Sequence, residues 1–122
     1  MSQKLLIVDD ALIIRLRIRE IAVECGWEVV GEAANGEQAV EIYRTLKPDL
    51  VTMDIVMPTM DGIDALRAIR ESDPGARVCM VSAINQREKL SECIQLGAID
   101  FIVKPFDRTR LIHLFEKQGR SR

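Results

Sequence analysis

Little in this sequence points toward the commoner routes to chemistry or location. There is one histidine, His113, and the three cysteines, Cys25, Cys79 and Cys93, are odd in number and widely spaced. They form neither a paired zinc-ligand motif nor a redox pair, so reduced and mostly buried thiols are expected. No segment approaches the roughly 20 apolar residues that a membrane helix requires. The opening residues Met1-Ser2-Gln3-Lys4 run straight into a strand-like stretch instead of an apolar leader with a cleavage site, so a cytoplasmic location and no membrane insertion are expected. A net charge of −2 gives no basic field for gathering nucleic acid, and a DNA-directed role would require a further domain. Linkers, repeats and low-complexity stretches are missing too.

What is present is a globular balance, with 48% hydrophobic and 30% charged residues in a chain of 122. That length suits one domain spanning residues 1–122. Five short apolar runs alternate with stretches of helical spacing, the signature of a parallel sheet with crossover helices. The expected strands are Leu5 to Asp9, Glu28 to Ala33, Leu50 to Asp54, Val78 to Ser82 and Phe101 to Val103. Leu5-Leu6-Ile7-Val8 is continuously apolar, as in a strand covered on both faces. Helices are expected over Ile13 to Cys25, Glu37 to Leu46, Ile63 to Glu71, Arg87 to Leu96 and Arg108 to Glu116. In the first, Ile14, Ile18, Ile21 and Cys25 form one apolar stripe that should face the sheet. Gly26, Gly97 and the Lys47-Pro48 pair should end helices.

Asp9 and Asp10 close the first expected strand and Asp54 closes the third. In open α/β sheets ligands bind beyond the carboxyl ends of the strands where the strand order reverses, which for order 2-1-3-4-5 lies between strands one and three. Like charges ~4 Å apart repel by about 4 kcal/mol at an effective dielectric near 20, so a cation must compensate. Mg2+ fits best, since it takes one or two carboxylates together with waters and phosphate oxygens, whereas zinc or copper would want His or Cys. Ser82 ends the fourth strand and Lys104 follows the fifth, where a hydroxyl and an ammonium could hold phosphoryl oxygens. Asp54 is the natural acceptor, its carboxylate acting as nucleophile to form an acyl phosphate.

The segments L-L-I-V-D-D, T-M-D-I-V-M-P-T-M-D-G, V-S-A and F-I-V-K-P-F resemble response-regulator receiver domains, in this order and over almost the whole chain. The resemblance implies an α/β, flavodoxin-like (βα)5 three-layer sandwich with a five-stranded parallel sheet. It also implies a phosphoacceptor in a two-component His-Asp phosphorelay, nearest to single-domain chemotaxis regulators. Carried over residue by residue, Asp54 is the phosphoacceptor, Asp10 a direct Mg2+ ligand, Asp9 a ligand acting partly through water, and Val56 a ligand through its backbone carbonyl. Ser82 is the switch hydroxyl, Lys104 the phosphoryl-binding lysine, and Phe101 the aromatic that turns inward, without the hydroxyl of the tyrosine frequent there. A cis peptide before Pro105 is expected. Implied partners are a sensor histidine kinase or histidine phosphotransfer protein and a downstream protein such as a flagellar motor switch. Such a domain is not a conventional enzyme, although it assists its own phosphorylation and dephosphorylation.

Each assignment has a plainer competitor. Asp9 and Asp10 could simply cap a helix. Asp61-Gly62 reads as a turn and cap rather than a ligand. His113 reads as a surface residue, and the tail from Gln118 to Arg122 as a frayed terminus. Leu12, Ile13 and Leu16, interleaved with Arg15, Arg17 and Arg19, lie off the core stripe; they form either a partner surface or a patch partly buried by a loop. The alternatives in function are the receiver half of a DNA-binding regulator and a Mg2+-dependent aspartate-nucleophile phosphatase. The latter typically carries a second aspartate where this chain has Val56. A flavin module is disfavoured by the acidic first loop. Finally, Val56 and Ile84 are apolar where polar side chains could align a hydrolytic water, which implies slow loss of the phosphoryl group.

Overall fold

The computed structural model describes residues 2–119, the side chain of Ile84 excepted. Five strands, β1 Lys4–Val8, β2 Glu28–Ala33, β3 Leu50–Met53, β4 Val78–Ala83 and β5 Asp100–Lys104, form one sheet in the order β2-β1-β3-β4-β5. Every pairing is parallel. The helices are α1 Leu12–Glu24, α2 Gly36–Leu46, α3 Gly62–Ser72, α4 Leu90–Gln95 and α5 Arg108–Gly119. This is the expected flavodoxin-like (βα)5 architecture.

Alternation along each strand divides the core into two layers. Leu5 and Ile7 of β1, Leu50 of β3, Cys79 and Val81 of β4 and Ile102 of β5 face α1 and α5, where Ile18, Ile21, Leu111, Leu114 and Phe115 meet them. Leu6, Val8, Val51, Met53, Val78 and Met80 face the other way, against Ala39, Val40 and Tyr43 of α2 and Ile63, Leu66 and Ile69 of α3. The α1 stripe thus faces the sheet as expected, with Ile14 and Cys25 packed partly at its ends. Cys79 and Cys93 are buried, and all three cysteines are free thiols. Gly26 and Gly97 terminate helices with φ of 88° and 97°. Lys47, left-handed at φ 45°, caps α2 ahead of Pro48.

Two expectations need correction. The strands β1 and β3 stop at Val8 and Met53, so Asp9 and Asp54 stand just past the ladder instead of inside it. The fourth helix is not continuous from Arg87. A 3-10 segment, Ile84–Lys89, precedes the short α4. The stretch Asn85-Gln86-Arg87-Glu88-Lys89 offers no apolar residue to pack, and no side chain caps its start, so little favours α over 3-10 spacing there. His113 is exposed in α5, as expected. Gln118 and Gly119 belong to α5, while the remaining tail residues 120–122 lie outside the described residues.

Candidate functional site

The sheet itself delivers the acidic residues to one place. Val8 and Met53 are register partners across the central β1–β3 pair, so the residues that follow them are neighbours. The Asp54 amide donates to Val8 O at 3.0 Å and the Asp9 amide to Ala33 O at 3.0 Å, which fixes both as their strands end. A carboxylate oxygen from each of Asp9, Asp10 and Asp54 can be chosen so that all lie within 4.8 Å of one another. Asp9 and Asp54 are 1% and 6% exposed, whereas Asp10 opens to solvent.

Lys104 reaches this cluster from the end of β5. Its ammonium lies 2.7 Å from Asp9 Oδ2 and 3.5 Å from Asp54 Oδ1. One monocation for three carboxylates leaves an excess of negative charge. The Asp54 carboxyl is accordingly pushed up to about 6, chiefly by burial and then by the Asp9 charge, with Lys104 opposing and Asp10 adding a smaller push. Asp9 does not cap α1, whose N-cap is Ala11 with no side-chain cap; its Oδ1 accepts instead from the Ala11 amide at 2.9 Å. The helix-cap alternative therefore falls away for Asp9.

Ser82, 1% exposed near the end of β4, has a hydroxyl with no hydrogen-bond partner among the described residues, and so has Thr52, two residues before Asp54. Buried hydroxyls are nearly always paired, so such orphans call for a partner from outside the chain. Phe101 is half-buried against the α2/α3/α4 layer. Val56 sits in the loop after β3 with its side chain 54% exposed. The Lys104-Pro105 bond is cis, as expected. The Ile84 side chain, expected beside the site, lies outside the described residues.

Sequence reasoning missed what holds the loop from Ile55 to Asp61 in place. A Cβ on Gly62 would fall inside the Asp54 carbonyl group, and the Gly62 amide donates to Ile55 O at 2.6 Å. A Cβ on Gly36 would lie 2.5 Å from Met60 O, to which the Gly36 amide donates at 2.9 Å. Both glycines follow turn-forming residues, Asn35 and Asp61, which cap α2 and α3 through their side chains. The Asp61-Gly62 cap was legible; the approach to the Asp54 backbone was not. Thr59 in the same loop is left-handed at φ 70°, an outlier for a β-branched residue.

On α1, Leu12, Ile13 and Leu16 are 58%, 72% and 48% exposed, so no loop buries them. Arg17 lies over the Phe106 ring at 5.6 Å, and Arg15 and Arg19 turn to Glu32 on β2.

The donor set suits a hard divalent ion: three clustered carboxylate oxygens, one solvent-facing, with no thiol or imidazole among the grouped ligands. The orphaned Ser82 hydroxyl, near the carboxyl end of the neighbouring β4, suits an oxyanion that such an ion would accompany.

Comparison with known proteins agrees with this geometry. The family model described as "Response regulator receiver domain" matches residues 5–116. The chain is 52% identical to the chemotaxis protein CheY of Bacillus subtilis over 117 residues, covering 96% of this chain and 98% of that protein. The Thermotoga maritima CheY is 49% identical over the same shares. Among solved structures, the CheX-CheY-BeF3-Mg+2 complex from Borrelia burgdorferi superposes with a TM-score of 0.87 at 40% identity, covering 91% of this chain and 84% of that one.

Proposed function

The chain belongs to the response regulator receiver domain family, and from that membership we propose that it is a phosphorelay switch which takes a phosphoryl group onto Asp54. One observation carries the assignment. Asp9, Asp10 and Asp54 cluster with the Lys104 ammonium at the carboxyl ends of the strands, and Ser82, near the same end of the neighbouring β4, keeps a buried hydroxyl with no partner among the described residues.

Asp10 and Asp9 would hold Mg2+ with Asp54 and the Val56 carbonyl. Once bound, Mg2+ supplies charge neutralisation for the phosphoryl oxygens. The Asp54 carboxylate attacks the phosphorus of a phosphohistidine, an acyl phosphate bond forms, and the P–N bond breaks with imidazole leaving. Lys104, 3.5 Å from Asp54 Oδ1, is close enough to pair with a phosphoryl oxygen on that carboxylate. Ser82 donates its free hydroxyl to another, and Phe101 on the neighbouring strand repacks with it. The two conformations that result differ at the α4, β5 and α5 surface.

A histidine kinase or histidine phosphotransfer protein would supply the phosphoryl group, docking on the exposed apolar residues of α1 beside the site. The output partner is a downstream protein of a chemotaxis system, with a flagellar motor switch as the leading candidate, and the setting is the cytoplasm. Two alternatives are disfavoured. The CheY proteins of Bacillus subtilis and Thermotoga maritima are each 98% covered by the match, and this favours the single-domain reading over half of a DNA-binding regulator. An aspartate-nucleophile phosphatase would need an acid/base where Val56 stands. The domain is not a conventional enzyme, though it assists its own phosphoryl transfer.

The test is incubation with acetyl phosphate followed by intact-mass measurement. One added phosphoryl group is expected with Mg2+, none with EDTA, and none in Asp54→Asn. Label that persists in Asp54→Asn overturns the assignment.

A further inference from the structure

Next to the acidic cluster lies an arginine with two jobs. Arg15, on the first turn of α1, donates from Nη1 to the backbone oxygen of Asp9 at 2.7 Å. The same guanidinium donates from Nε to Glu32 Oε1 at 2.9 Å. Its side chain is 17% exposed and that of Glu32 24%. Glu32 belongs to β2, in register with Ile7 of β1, so it is fixed by the sheet. Arg19 holds the other Glu32 oxygen at 2.8 Å from a more open position, 43% exposed, and makes no bond to Asp9 among those of the described residues.

The Asp9 backbone is therefore gripped on both sides. Its amide is tied to Ala33 O at the end of β2, and its carbonyl is tied to Arg15, which rests on the same strand. The Asp9 carbonyl and the Asp10 amide share one rigid peptide plane. Holding that oxygen sets the plane from which the Asp10 side chain departs. Asp10 is the exposed member of the cluster, and the peptide plane on its far side is held separately by the Ala11 amide, which donates to Asp9 Oδ1 at 2.9 Å.

We infer that Arg15 is a positioning residue for the cation site: braced on Glu32, it holds the Asp9 carbonyl so that the Asp9 and Asp10 carboxylates converge on one ion. This rests on the reading that Asp9, Asp10 and Asp54 hold Mg2+. The sign of the effect separates positioning from simple electrostatics. A guanidinium near a cation site repels the cation, so removing its charge should tighten Mg2+ binding if charge alone matters. Positioning demands the reverse. Arginine's planar fork can bridge a carbonyl and a carboxylate at once, whereas a lysine ammonium keeps the charge without that geometry.

The test uses the full chain, titrated with MgCl2 by calorimetry, with amide NMR shifts of Asp9, Asp10 and Ala11 recorded in EDTA and urea unfolding as a fold control. Arg15→Met and Arg15→Lys should both weaken Mg2+ binding about tenfold, as loss of outer-shell support does at other metal sites. Arg19→Met should stay within about twofold, because it loses a half-exposed pair that makes no bond to Asp9 among the described residues. In EDTA the Asp10 amide should shift in both Arg15 variants and not in Arg19→Met. Should Arg15→Met not fold, Arg15→Lys and Glu32→Gln decide, the latter weakening binding about threefold through one softened hydrogen bond. Unchanged or tighter binding in the Arg15 variants, or an Arg19→Met effect as large, overturns the inference while leaving the site intact. A wild type that fails to bind Mg2+ overturns the cation site and the inference together.

Discussion

The two ends of the sheet are built to opposite rules. At the amino ends of the strands polar groups are paired: Trp27 Nε1 donates to Phe115 O at 3.1 Å, Arg77 bonds Asp49 O and Gln118 Oε1 at 2.9 and 3.0 Å, and Tyr43 donates to Asp73 at 2.7 Å. At the carboxyl ends three carboxylates crowd one another, Ser82 and Thr52 leave buried hydroxyls unpartnered, and Thr59 holds a left-handed backbone. One end contributes stability and the other sacrifices it. Such concentrated violations mark the place where a fold expects a ligand.

The largest effect that can break this contrast is at Gly62. Any side chain there meets the Asp54 carbonyl, so the loop must move. Gly62→Ala is expected to destabilise the protein by at least about 3 kcal/mol and to abolish Mg2+ binding. Urea unfolding and titration would show it, and a near-wild-type midpoint would mean the loop is not held there. At the opposite end, Trp27→Phe removes the donor to Phe115 O and should lower stability by about 1–2 kcal/mol. Acetyl phosphate labelling should be unaffected, because the loss is remote from the carboxylates. A labelling defect would mean that the two ends are coupled.

The polar residues of the site were legible in the sequence, whereas the contacts of Gly62 and Trp27 were not. Asp9, Asp10, Asp54, Ser82 and Lys104 could be placed in advance because each interrupts or ends an apolar run, and the carboxyl ends of parallel strands lie together. The strand order came with the resemblance to receiver domains, since the alternation of strands and helices fixes a parallel sheet but not its order. The break before α4 was not legible, since a polar stretch carries no periodic signal to separate 3-10 from α. Nor were the clamps on the site. Gly62 and Gly36 matter through what a Cβ would strike, and Arg15 through a carbonyl six residues earlier, so these are facts of tertiary contact.

Smaller effects sharpen the contrast within the site end. Val56 is half-exposed beside Asp54 and offers no hydrogen bond to an incoming water. Val56→Asn should speed autodephosphorylation by about threefold, roughly 0.7 kcal/mol of barrier. The decay of labelled protein after donor removal gives the rate, and equal rates would place control of water access elsewhere. Smallest is Thr59→Gly. Relief of the left-handed backbone, about 1–2 kcal/mol, is offset by about 0.5–1 kcal/mol of added chain entropy. A net gain of about 0.5–1 kcal/mol in urea unfolding is expected, and a loss would show that Thr59 is held by favourable contacts rather than strained.

The claim that the acidic end opposes folding until a cation arrives is tested most directly by the stability of wild type and Asp54→Asn across pH, with EDTA and with Mg2+. The Asp54 carboxyl is raised to about 6 in the folded protein from an ordinary 3.8. Between those values the folded chain keeps a proton that the unfolded chain has lost, so stability must fall as pH rises. The full penalty, on the order of 2–3 kcal/mol, is reached above about pH 6. In EDTA the wild type should therefore lose stability relative to Asp54→Asn from about pH 4 to 6, remain the weaker protein at pH 7.5, and recover most of the difference when Mg2+ is added. Asp54→Asn should respond far less to Mg2+. A wild type more stable than Asp54→Asn at pH 7.5 in EDTA, or one indifferent to Mg2+, would contradict the account.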